Sequence, residues 1–183
     1  MPCVYVPLLK SVNNIKTNKT ARIPTFKELL KSPILMLGFG FGSGLVKKAP
    51  GTFGTLLGLL LFVPLLLWNE IVAGGLLTLS LLFGSYICGK SAEIMQTHDH
   101  GGIVWDEFIG IWLVLLFLPE QNLFYWLLAF GFFRLFDIWK PWPINLADKK
   151  IPGGLGIMVD DIVAALFSIV TIWAVFSVVG VMT

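Results

Sequence analysis

Residues 98–122 read "HDHGGIVWDEFIGIWLVLLFLPEQN", setting His98, Asp99, His100, Asp106 and Glu107 directly against an unbroken apolar run. The run from Trp105 to Leu118 is short for a membrane helix. At 1.5 Å per residue it reaches only about 21 Å, against a hydrocarbon core of roughly 30 Å. Its acidic start must therefore lie near the membrane surface, with ionisable groups where an apolar helix begins.

The rest of the chain supports a bilayer as the solvent. Of 183 residues, 56% are hydrophobic and only 13% charged, and the mean hydropathy is +0.84, far more apolar than one soluble core requires. The expected fold is all-α: a polytopic membrane helix bundle. Five apolar crossings are predicted at about 53–68, 71–89, 105–118, 122–139 and 158–182, preceded by "PILMLGFGFGSGL" (33–45), which reads as a short interfacial or re-entrant segment. Residues 1–32 form a basic cytoplasmic N-terminal segment in which "TFKELLKS" reads as a short amphipathic surface helix, and 33–183 form one membrane-embedded domain.

Charge sets the orientation. The links "NE" (69–70) and "PEQN" (119–122) contain no Lys or Arg, so a cytoplasmic N-terminus puts all 13 basic residues on the cytoplasmic side or at its boundary. A net charge of +2 is too small, and too unevenly placed, to suggest a nucleic-acid partner. Cys3 and Cys88 have no partner spacing and read as free thiols. "MPCVYVPLL" lacks the basic start of a cleavable signal, so the N-terminus is expected to be retained.

The threading brings the ionisable residues to one face: Asp106 and Glu107 open one helix, Asp137 lies near the end of another, and Asp160 with Asp161 opens a third. Acids in a first helical turn are favoured by the macrodipole by roughly 0.3–1 kcal/mol, which accounts for any one pair as a helix-start signal. It does not account for Asp137 at a C-terminal end. A cluster of carboxylates at a membrane boundary needs compensation, and an all-oxygen donor set points to a hard cation such as Mg²⁺. Arg134 and Lys140 are the candidate phosphate-binding cations, although Arg134 is also spaced to pair with Asp137 at i,i+3. "PGTFGTLLG" (50–58) offers backbone N–H groups and Thr52 to an anion, or else Gly54 and Gly58 form a helix-packing surface. His98 and His100 read as solvated loop histidines or as a general acid, with His98 preferred.

Taken together, "GFGSGL", "PGTFGT", "HDHGGIVWDEFIG", "RLFDIWKPWPI" and "GGLGIMVDDIVA" resemble the phosphatidylglycerophosphatase A family, from about Gly40 to the last helix. The resemblance implies a Mg²⁺-dependent phosphatase of the bacterial inner membrane that converts phosphatidylglycerophosphate to phosphatidylglycerol and phosphate, with its site on the cytoplasmic face. Carried over by position, it implies catalytic roles for His98, Asp99, Asp106 and Glu107. Metal binding falls to Asp106, Glu107, Asp137, Asp160 and Asp161, and phosphate binding to Arg134 and Lys140. His100, Lys47 and Lys48 have no assigned place. Either a metal-activated water or an aspartyl-phosphate on Asp106 is compatible with this set. Two rival classes are a phosphotransferase using a nucleotide-activated lipid, whose longer Asp and Gly pattern is not found here, and a transporter, which would place its charges along a midplane path.

Overall fold

The computed structural model describes residues 22–97, 100–140 and 154–182, all helix, turn or loop with no strand among them. A short helix α1 (Phe26–Lys31) leads into α2 (Pro33–Gly38) and a 3₁₀ turn (Gly40–Leu45). Five longer helices follow: α3 (Pro50–Trp68), α4 (Glu70–Ile94), α5 (Trp105–Leu116), α6 (Leu123–Trp139) and α7 (Gly154–Met182).

Each apolar run of the sequence becomes one helix because a bilayer satisfies no backbone group, leaving the chain to close its own i→i−4 ladder. Hydroxyls inside these helices obey the same constraint. Thr55, Thr78, Ser168, Thr171 and Ser177 each donate to the carbonyl four residues back, at 2.7–2.9 Å. Starts are capped: the Asn69 side chain accepts from Val72 N–H and the Asn122 side chain from Tyr125 N–H.

Three helices, Pro50–Trp68, Glu70–Ile94 and Gly154–Val178, are long and apolar enough to cross a membrane. Of the five expected crossings, α6 with 17 residues and α5 with 12 fall below that length. The reason for α5 is its position: it is the central helix, with Phe108, Ile109, Ile111, Trp112, Val114 and Leu115 all buried. It meets protein rather than lipid, so it need not match the hydrocarbon thickness. The segment 33–45 does not form a crossing. It folds as two six-residue turns of helix against the start of α3 and the end of α4.

Glycine lets α3 lie against α5. A Cβ on Gly54 would stand 2.7 Å from Val104 Cβ, and one on Gly58 would stand 3.1 Å from Ile111 Cγ2 and 3.3 Å from Phe108 Cα. This is the packing surface that Gly54 and Gly58 offered in the sequence. The Gly58 carbonyl also accepts from Trp112 Nε1 at 2.9 Å, and Trp112 stacks on Phe62 at 5.0 Å, so α3 and α5 run parallel and share an aromatic seam. Antiparallel α4 is met by α7 where a Cβ on Gly84 would reach Met158 Sδ at 2.7 Å. At the far end Tyr125 of α6 touches Phe176 of α7, and Trp173 donates to the Phe117 carbonyl. The starts of α3, α5 and α7 and the ends of α4 and α6 therefore gather at one end of the bundle. The outer faces carry exposed Leu60, Leu82, Leu127 and Val170, a surface that only lipid solvates comfortably.

Candidate active site

The loop after α4 is pinned before α5 begins. Val104 N–H donates to the Gly38 carbonyl at 2.8 Å, and Gly102 approaches Gly44 so closely that a Cβ on it would stand 2.7 Å from the Gly44 oxygen. His100, 4% exposed, accepts from Gly102 N–H through Nδ1 at 3.0 Å. Its Nε2 therefore carries the proton, donated to the Arg22 carbonyl at 3.0 Å. This histidine is a structural tie between residue 22 and the loop, committed at both nitrogens. His98 and Asp99 lie outside the described residues.

With α5 so placed, its first turn points Asp106 and Glu107 toward the ends of α6 and α7. Gly110, one turn on, makes room for both neighbours: a Cβ there would lie 2.5 Å from Phe133 Cε2 of α6 and 3.4 Å from the Asp161 carbonyl of α7. A pocket of about 150 Å³ opens where the three helices converge, walled by Asp106 and Glu107, Asp137 and Lys140, and Asp160 and Asp161, with Gly101, Ile103 and Ile157 completing it. Six of the polar candidates from the sequence thus share one cavity.

Arg134 and Thr52 are not among the wall residues. Arg134 lies behind the carboxylates: its Nη1 donates to Asp137 Oδ2 at 2.6 Å, stands 3.8 Å from Glu107 Oε1 and donates to Thr55 Oγ1 at 3.4 Å. The i,i+3 pairing with Asp137 is thereby realised, and Glu107 is added from another helix. Thr55, one turn after Gly51 and fully buried, is the residue of the glycine-rich turn that reaches this group. Gly51 is its companion, since a Cβ there would stand 3.1 Å from Arg134 Nη2. Neither was singled out from the sequence, where a threonine on an apolar helix face carries no functional mark.

Lys140 ends α6 in the left-handed region (φ 43°), its N–H closing on the Phe136 carbonyl at 2.9 Å. A non-glycine residue held there costs roughly 1–2 kcal/mol. The conformation sends the side chain across to α7, where Nζ lies 2.9 Å from Asp160 Oδ2.

One carboxylate oxygen from each of Asp106, Glu107 and Asp161 lies within 4.8 Å of the others. Asp106 Oδ1, Glu107 Oε2 and Asp161 Oδ2 are buried without a hydrogen-bond donor. Buried carboxylate oxygens without donors are costly, and three of them on three clustered side chains fit a shared cation. Hard oxygen donors of this kind suit Mg²⁺, Mn²⁺ or Ca²⁺.

A family model described as phosphatidylglycerophosphatase A matches residues 36–176, a span that holds every pocket residue. A Haemophilus influenzae protein named phosphatidylglycerophosphatase A is 44% identical over 157 residues, covering 85% of this chain and 96% of its own length. An Escherichia coli protein of the same name is 44% identical over 158 residues, covering 80% and 88%. A Bacteroides thetaiotaomicron protein, provisionally named a phosphatidylinositol-3-phosphatase, is 34% identical over 156 residues, covering 80% and 95%. No solved structure matches the chain. By the extent of the family match and by the two relatives at 44% identity, the chain belongs to the phosphatidylglycerophosphatase A family.

Proposed function

We propose that this membrane phosphatase hydrolyses the phosphomonoester of phosphatidylglycerophosphate, releasing phosphate and leaving phosphatidylglycerol in the bilayer. The observation that carries the reading is the conjunction of family membership with a carboxylate-walled pocket at the end of an apolar bundle. A substrate whose tails belong in lipid and whose phosphate belongs in water is met where an apolar helix begins. Charges gathered at one end also favour hydrolysis at a surface over passage through the bundle. The positive-inside pattern supports a site on the cytoplasmic face of an inner membrane, with α5 and α6 completing five passes.

Asp106, Glu107 and Asp161 would hold Mg²⁺, with Asp137 and Asp160 beside them. The ion would neutralise phosphoryl charge and lower the pKa of a bound water. Arg134 holds Glu107 and Asp137 from behind and keeps both carboxylates turned to the pocket. Lys140 lies on the pocket wall, oriented by Asp160, and steadies the non-bridging oxygens. Ile103 and Ile157 restrict water around the ester. From their sequence positions, His98 is assigned the proton delivered to the departing glycerol oxygen and Asp99 the orientation of that proton donor. Thr52, at the start of α3, is assigned to the phosphate from its sequence position, through its hydroxyl, since its own N–H is taken by the Ala49 carbonyl at 3.0 Å.

The test is phosphate release by the purified protein in detergent, with and without Mg²⁺. The name of the Bacteroides relative favours one second reading, a phosphoinositide monoester, and equimolar competition between the two lipids decides it. Preference for phosphatidylinositol 3-phosphate would overturn the headgroup assignment while leaving the phosphatase reading intact.

A further inference from the structure

The first described helix lies outside the residues 36–176 that the family model matches. Its faces are sharply divided. Leu29 is fully buried against the protein, while Phe26 and Leu30, four apart, are 52% and 64% exposed. Lys27 and Lys31, also four apart, form the adjoining stripe and are exposed.

The apolar stripe continues onto the neighbouring 3₁₀ turn. Phe26 lies against Gly42, where a Cβ would meet its Cε2 at 3.2 Å, and the next residue back, Phe41, is 46% exposed. Exposed Lys47 and Lys48 follow the same turn in the chain. Glu28 is the acid of this helix, and it is engaged. Its carboxylate accepts from Thr25 N–H at 2.7 Å and from the Thr25 hydroxyl, and pairs with Arg22. These bonds, led by the Thr25 backbone donor, hold its pKa below the usual carboxylate value.

A short helix with exposed aromatic and leucine side chains beside paired lysines has the make-up of one lying in a lipid interface, its lysine stems along the acyl boundary and its ammonium groups at headgroup phosphates. Its place in the fold adds a purpose. The Arg22 carbonyl is bonded to His100, whose loop neighbour Gly101 lines the pocket, so α1 sits at the end of the bundle that holds the acids. Five carboxylates against Arg134 and Lys140 leave that end short of positive charge of its own for gathering anionic lipid. We propose that α1, with Lys47 and Lys48, is a docking surface for the anionic phospholipid headgroups of the bilayer, concentrating acidic lipid beside the pocket.

The inference rests on the proposed lipid substrate only for its kinetic consequence, so the experiment has two arms. In the first, the full chain carrying Cys3→Ser and Leu30→Cys with an environment-sensitive NBD label is reconstituted in phosphatidylcholine vesicles, with phosphatidylserine raised stepwise. Cys88 is fully buried and spared by the label. Emission should brighten and shift to the blue as phosphatidylserine rises, reverse in high salt, and become indifferent to phosphatidylserine in the Lys27→Gln, Lys31→Gln double variant. In the second, the mole-fraction KM for phosphatidylglycerophosphate should rise roughly fivefold for each lysine removed, with kcat unchanged. Emission that ignores phosphatidylserine, that follows the protein-to-lipid ratio as self-association would, or that responds equally to inorganic phosphate overturns the proposal. Failure of phosphatidylglycerophosphate as a substrate removes the second arm only, and the first then decides alone.

Discussion

Lys140 Nζ and Asp160 Oδ2 stand 2.9 Å apart, joining the left-handed end of α6 to the first turns of α7. Asp160 is only 4% exposed, so this cation matters to the fold as well as to the pocket. Lys140→Met should lower stability by about 3 kcal/mol and turnover by on the order of 100-fold, because a buried carboxylate loses its charged donor. Lys140→Arg keeps the charge and should recover most of the stability. Thermal unfolding in detergent beside the phosphate-release assay reads both, and a Met variant with normal turnover would remove Lys140 from phosphate binding.

Clustered oxygens of Asp106, Glu107 and Asp161 lead to a prediction about cation binding itself. Calorimetric titration with Mn²⁺ should show Asp106→Asn and Asp161→Asn binding the ion at least 10-fold more weakly, with EDTA abolishing activity and Mg²⁺ restoring it. Undiminished turnover in excess EDTA would defeat the metal assignment.

Thr55 is expected to act through Arg134. Its hydroxyl proton goes to the Gly51 carbonyl, leaving a lone pair for the guanidinium. Thr55→Val keeps the shape and removes that acceptor. It should reduce kcat by about 10- to 150-fold while leaving KM nearly unchanged, in the range of one lost hydrogen bond to a charged group. Thr55→Ser should restore the wild-type rate. If Val and Ser variants behave alike, the hydroxyl has no positioning role.

Gly110 of α5 lies against both α6 and α7 beside the pocket, next to Phe133 and the Asp161 carbonyl. Gly110→Ala should cost about 1–3 kcal/mol by forcing Phe133 aside, and it should weaken Mn²⁺ binding as the Asp161 backbone retreats. A variant with wild-type melting temperature and ion affinity would show that the contact is slack.

Topology is open to a reporter fusion. An alkaline phosphatase placed after Gln121 should be active and one placed after Lys150 inactive, because basic residues are absent from 119–122 and frequent beyond 139. The opposite pattern would invert the bundle.

The helix limits were legible because a bilayer demands long uninterrupted apolar runs, and the runs at 53–68, 105–118 and 122–139 reappear within a few residues as α3, α5 and α6. The end of α4 was not. Lys90, Ser91 and Glu93 look like a polar loop, yet Lys90 pairs with Glu93 at 2.8 Å across one turn, and Ser91 faces Gly38, so the helix continues to Ile94. The convergence of Asp106, Glu107, Asp137, Lys140, Asp160 and Asp161 followed from threading alone, since alternating passes return α5, α6 and α7 to the same end. Contacts between non-neighbouring helices, such as Arg134 with Glu107 and Thr55, were hidden because no periodicity in one helix reports which face of another it meets. His100 belongs to this class too: its two bonds reach Gly102 and Arg22, and only the first is local.

The pocket's acids are made at different times. Asp106 and Glu107 leave the ribosome with α5, Asp137 and its pairing Arg134 with α6, and Asp160 and Asp161 only with α7. Until α7 docks against Gly84 and Gly110, the nascent chain holds three of the five carboxylates, lacks the Asp161 oxygen that completes the cluster, and has no closed cavity in which to turn over lipid. Catalytic competence is thereby deferred to a late step of insertion, and a chain stalled in the translocon after α6 would occupy the membrane without being able to alter it.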